Sequence, residues 1–356
     1  MPPSDHAAPP AVADVLIVGQ GIAGSTLYWR LEERGLETVV VDRGGVDRDG
    51  RPSASRVAAG LLTPLTGKRL TLSPEFDDLF AAARGFYRGV EARTGQDFFT
   101  EQAALRVFVD AAERRCFEHR HHDPAFARHV RLALPAELPA PLVAPHGAFW
   151  MRGAARLDTT AYLDATRRQL ERDSRFFSES LDLAQDLSWE TDAVYLPKIG
   201  LRARQLVLCQ GYCAPLAAWP GAARFAPARG EVLTVACNAY RSAAVLHRGI
   251  WVAPCESGVA GRYRVGSTYD WHDLDAPPSA AARAELLARL AEAGLAEGRV
   301  IDQQAAVRPA TPDRQPLWGI APDQPRIAWL NGLGAKGSLL APTYAARLAD
   351  RLAKAF

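Results

Sequence analysis

One stretch restricts this chain more than any other. The apolar residues Val15 to Val18 run straight into Gly19-Gln-Gly21-Ile-Ala-Gly24. The spacing of Ile22, Ala23, Leu27 and Leu31 predicts a helix from Ile22 to Arg34, which Gly35 is placed to end. Thr38 to Val41 reads as a second short strand, with Asp42 at its carboxyl end. A strand, a glycine turn, a helix and a strand closed by an acid form the context in which G-x-G-x-x-G binds a dinucleotide. Gly19 permits the tight turn, Gly21 lets a pyrophosphate approach bare backbone, and Gly24 lets the helix pack closely on the strand. The helix N-terminus offers free N–H groups and partial positive charge to phosphates. Asp42 is suited to accept hydrogen bonds from an adenosine ribose. The motif does not choose between FAD and NAD. Standing alone, it is also met as a glycine-rich turn without a ligand.

The rest of the chain is long enough for two domains or one large interleaved one. It has 356 residues, 48% hydrophobic and 23% charged. A net charge of +2 makes no demand for nucleic acid or an anionic membrane. The five cysteines (Cys116, Cys209, Cys213, Cys237, Cys255) include no C-x-x-C and support neither a disulfide framework nor a zinc site. Met1 to Asp14 is rich in Pro and Ala, reads as disordered and has no basic leader segment. The apolar run after it is far shorter than the roughly 20 residues of a membrane span. A soluble cytoplasmic protein is expected.

Several segments carry local signals. Ser55 to Arg69 holds small residues around Gly60, suited to close approach of backbone to a flat group or to another helix. Ser73 and Pro74 predict the start of a helix running to Arg93, with Ser73 as N-cap. Leu105 to Val109 reads as a strand. His119, His121, His122 and His129 lie in an Arg-rich stretch, read as a solvated helix face in preference to a metal site. Pro135 to Pro145 reads as a connection. Ala148 to Met151 reads as a strand, and Asp158 as the cap of a helix from about Thr160 to Arg172. Arg204 to Cys209 predicts a buried parallel strand ending at a second glycine turn, Gly211. From Phe225 to Tyr269 short strands recur, predicting an antiparallel sheet in which Tyr263, Val265, Ser267 and Tyr269 share one face. Ala280 to Ala293 predicts a helix. In the closing segment a strand, Ile327 to Asn331, enters Gly332-Leu-Gly334-Ala-Lys336-Gly337 and then a last helix with Ser338 as N-cap. A helix N-terminus beside Lys336 would focus positive charge.

Taken together, these segments resemble the FAD-dependent amino acid oxidases, the group of D-amino-acid oxidase, glycine oxidase and sarcosine oxidase. The resemblance covers nearly the whole chain. It rests on Gly19/Gly21/Gly24 with Asp42, Ala58-Ala-Gly60, Gly261-Arg-Tyr-Arg-Val-Gly266-Ser-Thr, Val307-Arg-Pro-Ala-Thr-Pro-Asp313, and Gly332 to Gly337 before Leu339-Leu-Ala-Pro342. It implies an α/β fold: a discontinuous Rossmann-like FAD-binding domain (1–88, 150–224, 308–356) with an inserted substrate domain (89–149, 225–307) built on an antiparallel sheet. Gly19, Gly21 and Gly24, with Ile22 and Ala23, would hold the pyrophosphate, and Asp42 with Arg43 the adenosine end. Ser55, Ala59, Gly60 and Leu61 would run along the flavin, with Gly211 near the cofactor. Gly332, Gly334, Ala335, Lys336, Gly337 and Ser338 would cover its pyrimidine end.

The same resemblance makes Arg308 the clamp for a substrate carboxylate, a task suited to the guanidinium fork. It also puts Trp251 and Tyr269 beside the substrate. Ala306 stands where monomeric sarcosine oxidases carry a flavin-linking Cys, so FAD is expected without a covalent bond. The Pro64 to Arg69 element departs from glycine oxidase and leaves the substrate open. The expected reaction takes hydride from the α-carbon of an amine bearing a carboxylate to flavin N5, with the imine hydrolysing in water. Lys336 and the last helix would stabilise the negative charge that reduction brings. The acceptor, oxygen or another, and the oligomeric state stay open. Two readings compete: an NAD-dependent dehydrogenase, and an FAD-binding subunit or tailoring partner without its own amine substrate. The family also includes an enzyme that dealkylates a modified tRNA base, which the near-neutral charge does not favour.

Overall fold

The computed structural model describes residues 12–46, 50–213, 225–255 and 261–356. The N-terminal Pro/Ala-rich stretch through residue 11 lies outside them. The elements that position the site are, in chain order, β1 (Val12–Val18), α1 (Ile22–Glu32), β2 (Thr38–Asp42), α2 (Phe76–Thr94), β3 (Ala104–Val107), β4 (Ala148–Met151), α3 (Thr159–Arg172), β5 (Leu201–Leu208), β6 (Ala228–Ala236), β7 (Leu246–Arg248), β8 (Ile250–Pro254), β9 (Arg262–Gly266), α4 (Ala280–Glu292), β10 (Arg299–Arg308), β11 (Ile327–Asn331) and α5 (Gly337–Ala353).

β1 pairs in parallel with β2 on one side and β5 on the other, and β11 pairs in parallel with the end of β5. These strands are apolar on both faces, as a covered parallel sheet requires. The period of two sorts them cleanly. Val15, Ile17, Val40, Val207 and Leu330 face one core, against α1, α2, α3 and α5. Leu16, Val18, Val39, Val41 and Leu208 face the other. The last helix, α5, packs on α1, so the two chain ends close one layer together.

A second sheet has the order β10-β6-β9-β8-β7-β3-β4, ending on Val130–Leu132. It is antiparallel throughout except where β7 pairs in parallel with β3. α4 covers one face through Leu286 and Leu290, packed among Leu233, Val235, Val252 and Val265.

Four local expectations are corrected. α2 starts at Phe76, not beside Ser73: Glu75 precedes it in the left-handed region (φ 51°), and the Ser73 hydroxyl instead accepts from Lys336 Nζ at 2.8 Å. Ser338 is not the cap of α5. A 3₁₀ turn, Gly334–Lys336, feeds the helix directly and Ser338 lies inside it, its carbonyl accepting from Tyr87 Oη. β9 stops at Gly266, so the alternation breaks: Tyr263 is buried while Tyr269 is 54% exposed. The strand expected over Leu105 to Val109 ends at Val107, because the Val109 amide turns to the Glu113 carboxylate. His119, His121 and His122 are exposed, whereas His129 is buried 3.5 Å from Asp77.

Candidate active site

The glycine turns are fixed by what surrounds them. Gly19 adopts φ +106°, and a Cβ there would lie 2.5 Å from the carbonyl oxygen of Cys209, the residue after β5. A Cβ on Gly24 would collide with the Gly19 carbonyl, so helix and turn touch backbone to backbone. Gly21 is different: only Ser55 Oγ stands near it, at 3.0 Å. No side chain caps α1, and Ser55 Oγ accepts from the Ile22 amide at 3.0 Å. Asp42 accepts from the Gln20 amide at 2.8 Å and the Gly45 amide at 2.5 Å, with Arg167 3.4 Å away. Gly60 turns at φ +68° against the Leu157 carbonyl, with no room for a Cβ.

The closing motif comes to the same place. The Gly332 amide donates to Oδ1 of its neighbour Asn331, and Asn331 Nδ2 donates to the Gly211 carbonyl at 3.0 Å. The two glycine turns at the ends of β5 and β11 are thereby tied together. At the start of α5, a Cβ on Gly337 would stand 3.0 Å from the Ile22 side chain. The N-termini of α1 and α5 therefore converge, and neither carries a side-chain cap.

All these turns open on one cleft of about 1780 Å³. That exceeds the roughly 300–1,000 Å³ of a small-ligand pocket and suits a dinucleotide with a substrate beside it. It is lined by Gly19, Gly21, Ile22, Ala23, Asp42, Arg43, Ser55, Ala59, Gly60, Leu61, Gly211, Trp251, Tyr269, Arg308, Gly332, Gly334, Ala335, Lys336, Gly337 and Ser338. Gly24 is the one expected residue set behind the wall. The chemistry of the lining fits FAD. Two helix N-termini whose own N-cap residues make no side-chain hydrogen bond meet there, and two lining side chains, Arg43 through Nη1 and Gln210 through Oε1, bury a polar atom without a partner among the described residues. Buried polar atoms of that kind are normally satisfied. Ala306, also in the lining, offers no thiol for a covalent link.

At the other wall, Arg308 reaches back across β6. Its Nη2 donates to Ser267 Oγ at 2.5 Å and to the Thr268 carbonyl, and its Nη1 to the Ala228 carbonyl, both at 3.4 Å. Its guanidinium carbon lies 4.4 Å from the centre of the Tyr269 ring. Among the described residues no carboxylate faces it, and burial pulls its pKa down. Tyr269 stacks on Trp271 at 5.8 Å, and the Trp251 indole covers Gly266, where a Cβ would come within 2.7 Å of it. Lys336 is likewise lowered by burial and by Arg314 beside it. The site thus presents two half-desolvated cations, Arg308 and Lys336, each with burial lowering its pKa.

Reading the sequence alone missed Gly230, Ser267, Gln210, Arg106 and His247, all in the cleft lining. Gly230 left a signal: a glycine inside a strand pattern marks close approach of another group. The others left none, because their roles depend on strand register.

The comparisons agree with this geometry. Residues 14–351 match the model of a family described as FAD dependent oxidoreductase. A Rhizobium etli protein named for thiamine biosynthesis, the oxidoreductase ThiO, is 28% identical over 95% of this chain and 96% of its own length. The tRNA 5-methylaminomethyl-2-thiouridine biosynthesis bifunctional protein MnmC of Maricaulis maris is 30% identical over 95% of this chain. The chain spans about half of that relative, 52% of its length. Glycine oxidase from Bacillus cereus has the same fold, with a TM-score of 0.78 at 20% identity over 97% of this chain and 96% of that one. The cofactor is FAD, not NAD. With both glycine turns and both chain ends closing on one dinucleotide-sized cleft, the chain belongs to the FAD dependent oxidoreductases.

Proposed function

We propose that the enzyme oxidises the carbon–nitrogen bond of an amino acid or secondary amine that carries a carboxylate. One observation carries this: a half-buried guanidinium, Arg308, lines the cleft without an acid partner among the described residues. An unpaired buried charge is costly, and a substrate carboxylate, taken bidentately, relieves that cost. Bound FAD supplies the hydride acceptor, N5 of its flavin. The chain's own residues do the rest. Arg308 fixes the carboxylate and with it the α-carbon. Trp251 over Gly266 forms a wall that excludes water, and Tyr269 lies against Arg308 at the open edge of the site. Lys336 and the N-terminus of α5 hold negative charge at the flavin's pyrimidine end.

In the same reading Gly19, Gly21, Ile22, Ala23 and Ser55 hold the pyrophosphate, and Asp42 and Arg43 the adenosine. Ala59, Gly60, Leu61, Gly211 and the turn Gly332 to Ser338 hold the flavin, bound without a covalent link. The division into an FAD-binding unit (1–88, 150–224, 308–356) and a substrate unit (89–149, 225–307) is proposed on the membership of the two sheets, with β4 crossing the boundary at 150. Among the described residues no helix is long and apolar enough to cross a membrane. Cys116, Cys209 and Cys237 form no disulfide among the described residues, which fits a cytoplasmic location.

The test is an anaerobic flavin-reduction screen over glycine, sarcosine, proline and the D-amino acids. Bleaching by at least one supports the proposal, and an oxidised spectrum with all of them favours a subunit without its own amine substrate. A second reading places the amine on a modified tRNA base. It draws on the similarity to MnmC and on the exposed, stacked Tyr269 and Trp271 at the cleft. Bleaching by the tRNA but by no free amino acid is its signature.

A further inference from the structure

We propose that the end of the cleft remote from Arg308 is a second recognition site, built on His247 and Arg106, that takes a carboxylate at the far end of the substrate. The proposal rests on Arg308 being the clamp for the first carboxylate.

The register of the second sheet carries the argument. Gly266 pairs with Trp251, Trp251 with His247, and His247 with Arg106. Residues directly paired across a sheet share a face. These four therefore form one row across β9, β8, β7 and β3, and all four line the cleft. The row leads from the Arg308 end, past the indole over Gly266, to an imidazole and a second guanidinium.

That far end holds polar groups the fold does not use up. His247 Nε2 is buried with no hydrogen-bond partner among the described residues. Arg106, 8% exposed, gives Nε and Nη2 to Glu113 and Nη2 also to the Gly67 carbonyl, while its Nη1 makes no hydrogen bond among the described residues. The Gly67 contact anchors the hairpin Leu65–Thr66/Thr71–Leu72 as a roof. Anchoring explains Arg106 and Glu113, but it gives His247 no task. Buried polar nitrogens without partners are rare, and one in a cleft wall calls for a partner from the cleft: water, an ion or a ligand.

The charge around this end selects the ligand. Glu113 answers Arg106, and Lys68 and Arg69 on the hairpin, both cleft-lining and exposed, add positive charge. Burial, with Arg106 beside it, pushes the His247 pKa down to about 3. The imidazole is therefore neutral at working pH, and in its Nε2–H tautomer it donates one hydrogen bond into the cleft. A carboxylate accepts from it and from Arg106 Nη1 together. Gly230, under the Arg308 guanidinium, and His247 lie three strands apart, roughly 14 Å across the sheet. The substrate arm must therefore be several atoms long.

Unreactive thioethers test this on the FAD-loaded enzyme, read by perturbation of the oxidised flavin spectrum. The probes are carboxymethylthio acids with two, four and six carbons between sulfur and the second carboxylate, each against its methyl-ended analogue. For the longer pairs the diacid should bind about tenfold more tightly, and His247→Phe should bring the ratio near one. His247→Gln, which keeps an N–H donor, should retain part of it and covers the case in which the Phe variant does not fold. Equal affinity for diacid and methyl-ended probes in the wild type overturns the second site. Loss of both probes in Arg308→Ala shows that the clamp itself holds. Binding of neither probe by the wild type sinks the clamp and the second site with it.

Discussion

Arg308 lays its guanidinium over Gly230, so close that a Cβ at Gly230 would occupy the space of both terminal nitrogens. The partner strands put them there: Arg308 pairs with Ala228 and Gly230 with Ala306, and the side chain folds back across two residues of β6. Gly230→Ala should displace the fork while leaving the FAD domain yellow. KM for the amine substrate should rise about tenfold or more, against a small change in thermal stability. Arg308→Ala should cost about 2–3 kcal/mol of transition-state binding, the range for a charge-assisted hydrogen bond, measured as kcat/KM.

Ser267 holds that fork from the side, its Oγ accepting from Arg308 Nη2 at 2.5 Å. Ser267→Ala removes one acceptor and leaves the charge in place. About 1 kcal/mol should be lost, seen as a severalfold rise in KM with kcat little changed. Ser267→Thr, which keeps the hydroxyl, should recover most of it.

Gly60 should be the more fragile glycine for cofactor retention. At φ +68° a side chain is strained, and the Leu157 carbonyl blocks the Cβ position. Gly60→Ala should purify with a low ratio of flavin to protein absorbance. Gly85→Ala, in the middle of α2 with nothing near its Cβ position, should keep the wild-type ratio and gain slightly in stability.

Acid should destabilise the fold partly through His247. Its pKa is pushed down to about 3, mainly by burial, against an unfolded value near 6.5. Between those values the unfolded chain binds the proton and the folded one does not. Its contribution is therefore complete above about pH 6.5 and is lost as pH falls, at up to about 1.4 kcal/mol per pH unit. Thermal melts of His247→Gln should fall less steeply than wild type between pH 6 and pH 4. Parallel curves would assign the acid limb to other groups.

Cys209 follows β5 beside the Gly19 turn and is buried, with its thiol raised to about 12 by desolvation. Thiol reagents at pH 8 should leave it unmodified in the folded enzyme, as mass mapping would show, because so little thiolate forms.

What was legible in the sequence was whatever short-range chemistry decides. The apolar run, three glycines, a helix and Asp42 sit within one unit, and their backbone demands are local, so β1, α1, β2 and the Gly19 turn could be read directly. The same holds for Asp158, whose side chain caps α3 as its spacing predicts. Where a tertiary partner competes for a local signal, the sequence misled. Ser73 looks like a cap but serves Lys336, and Ser338 is taken into α5.

The substrate wall depended on the tertiary structure alone. Gly230 makes room for Arg308 and His247 stands beside Arg106 only because six strands from distant parts of the chain adopt one register, and a strand's register is set by its neighbours rather than by its own residues. The sequence named the pyrophosphate turn because that turn, its helix and Asp42 lie in one continuous segment. The groups that select a substrate are each a single residue on a different strand, and only packing brings them to one face.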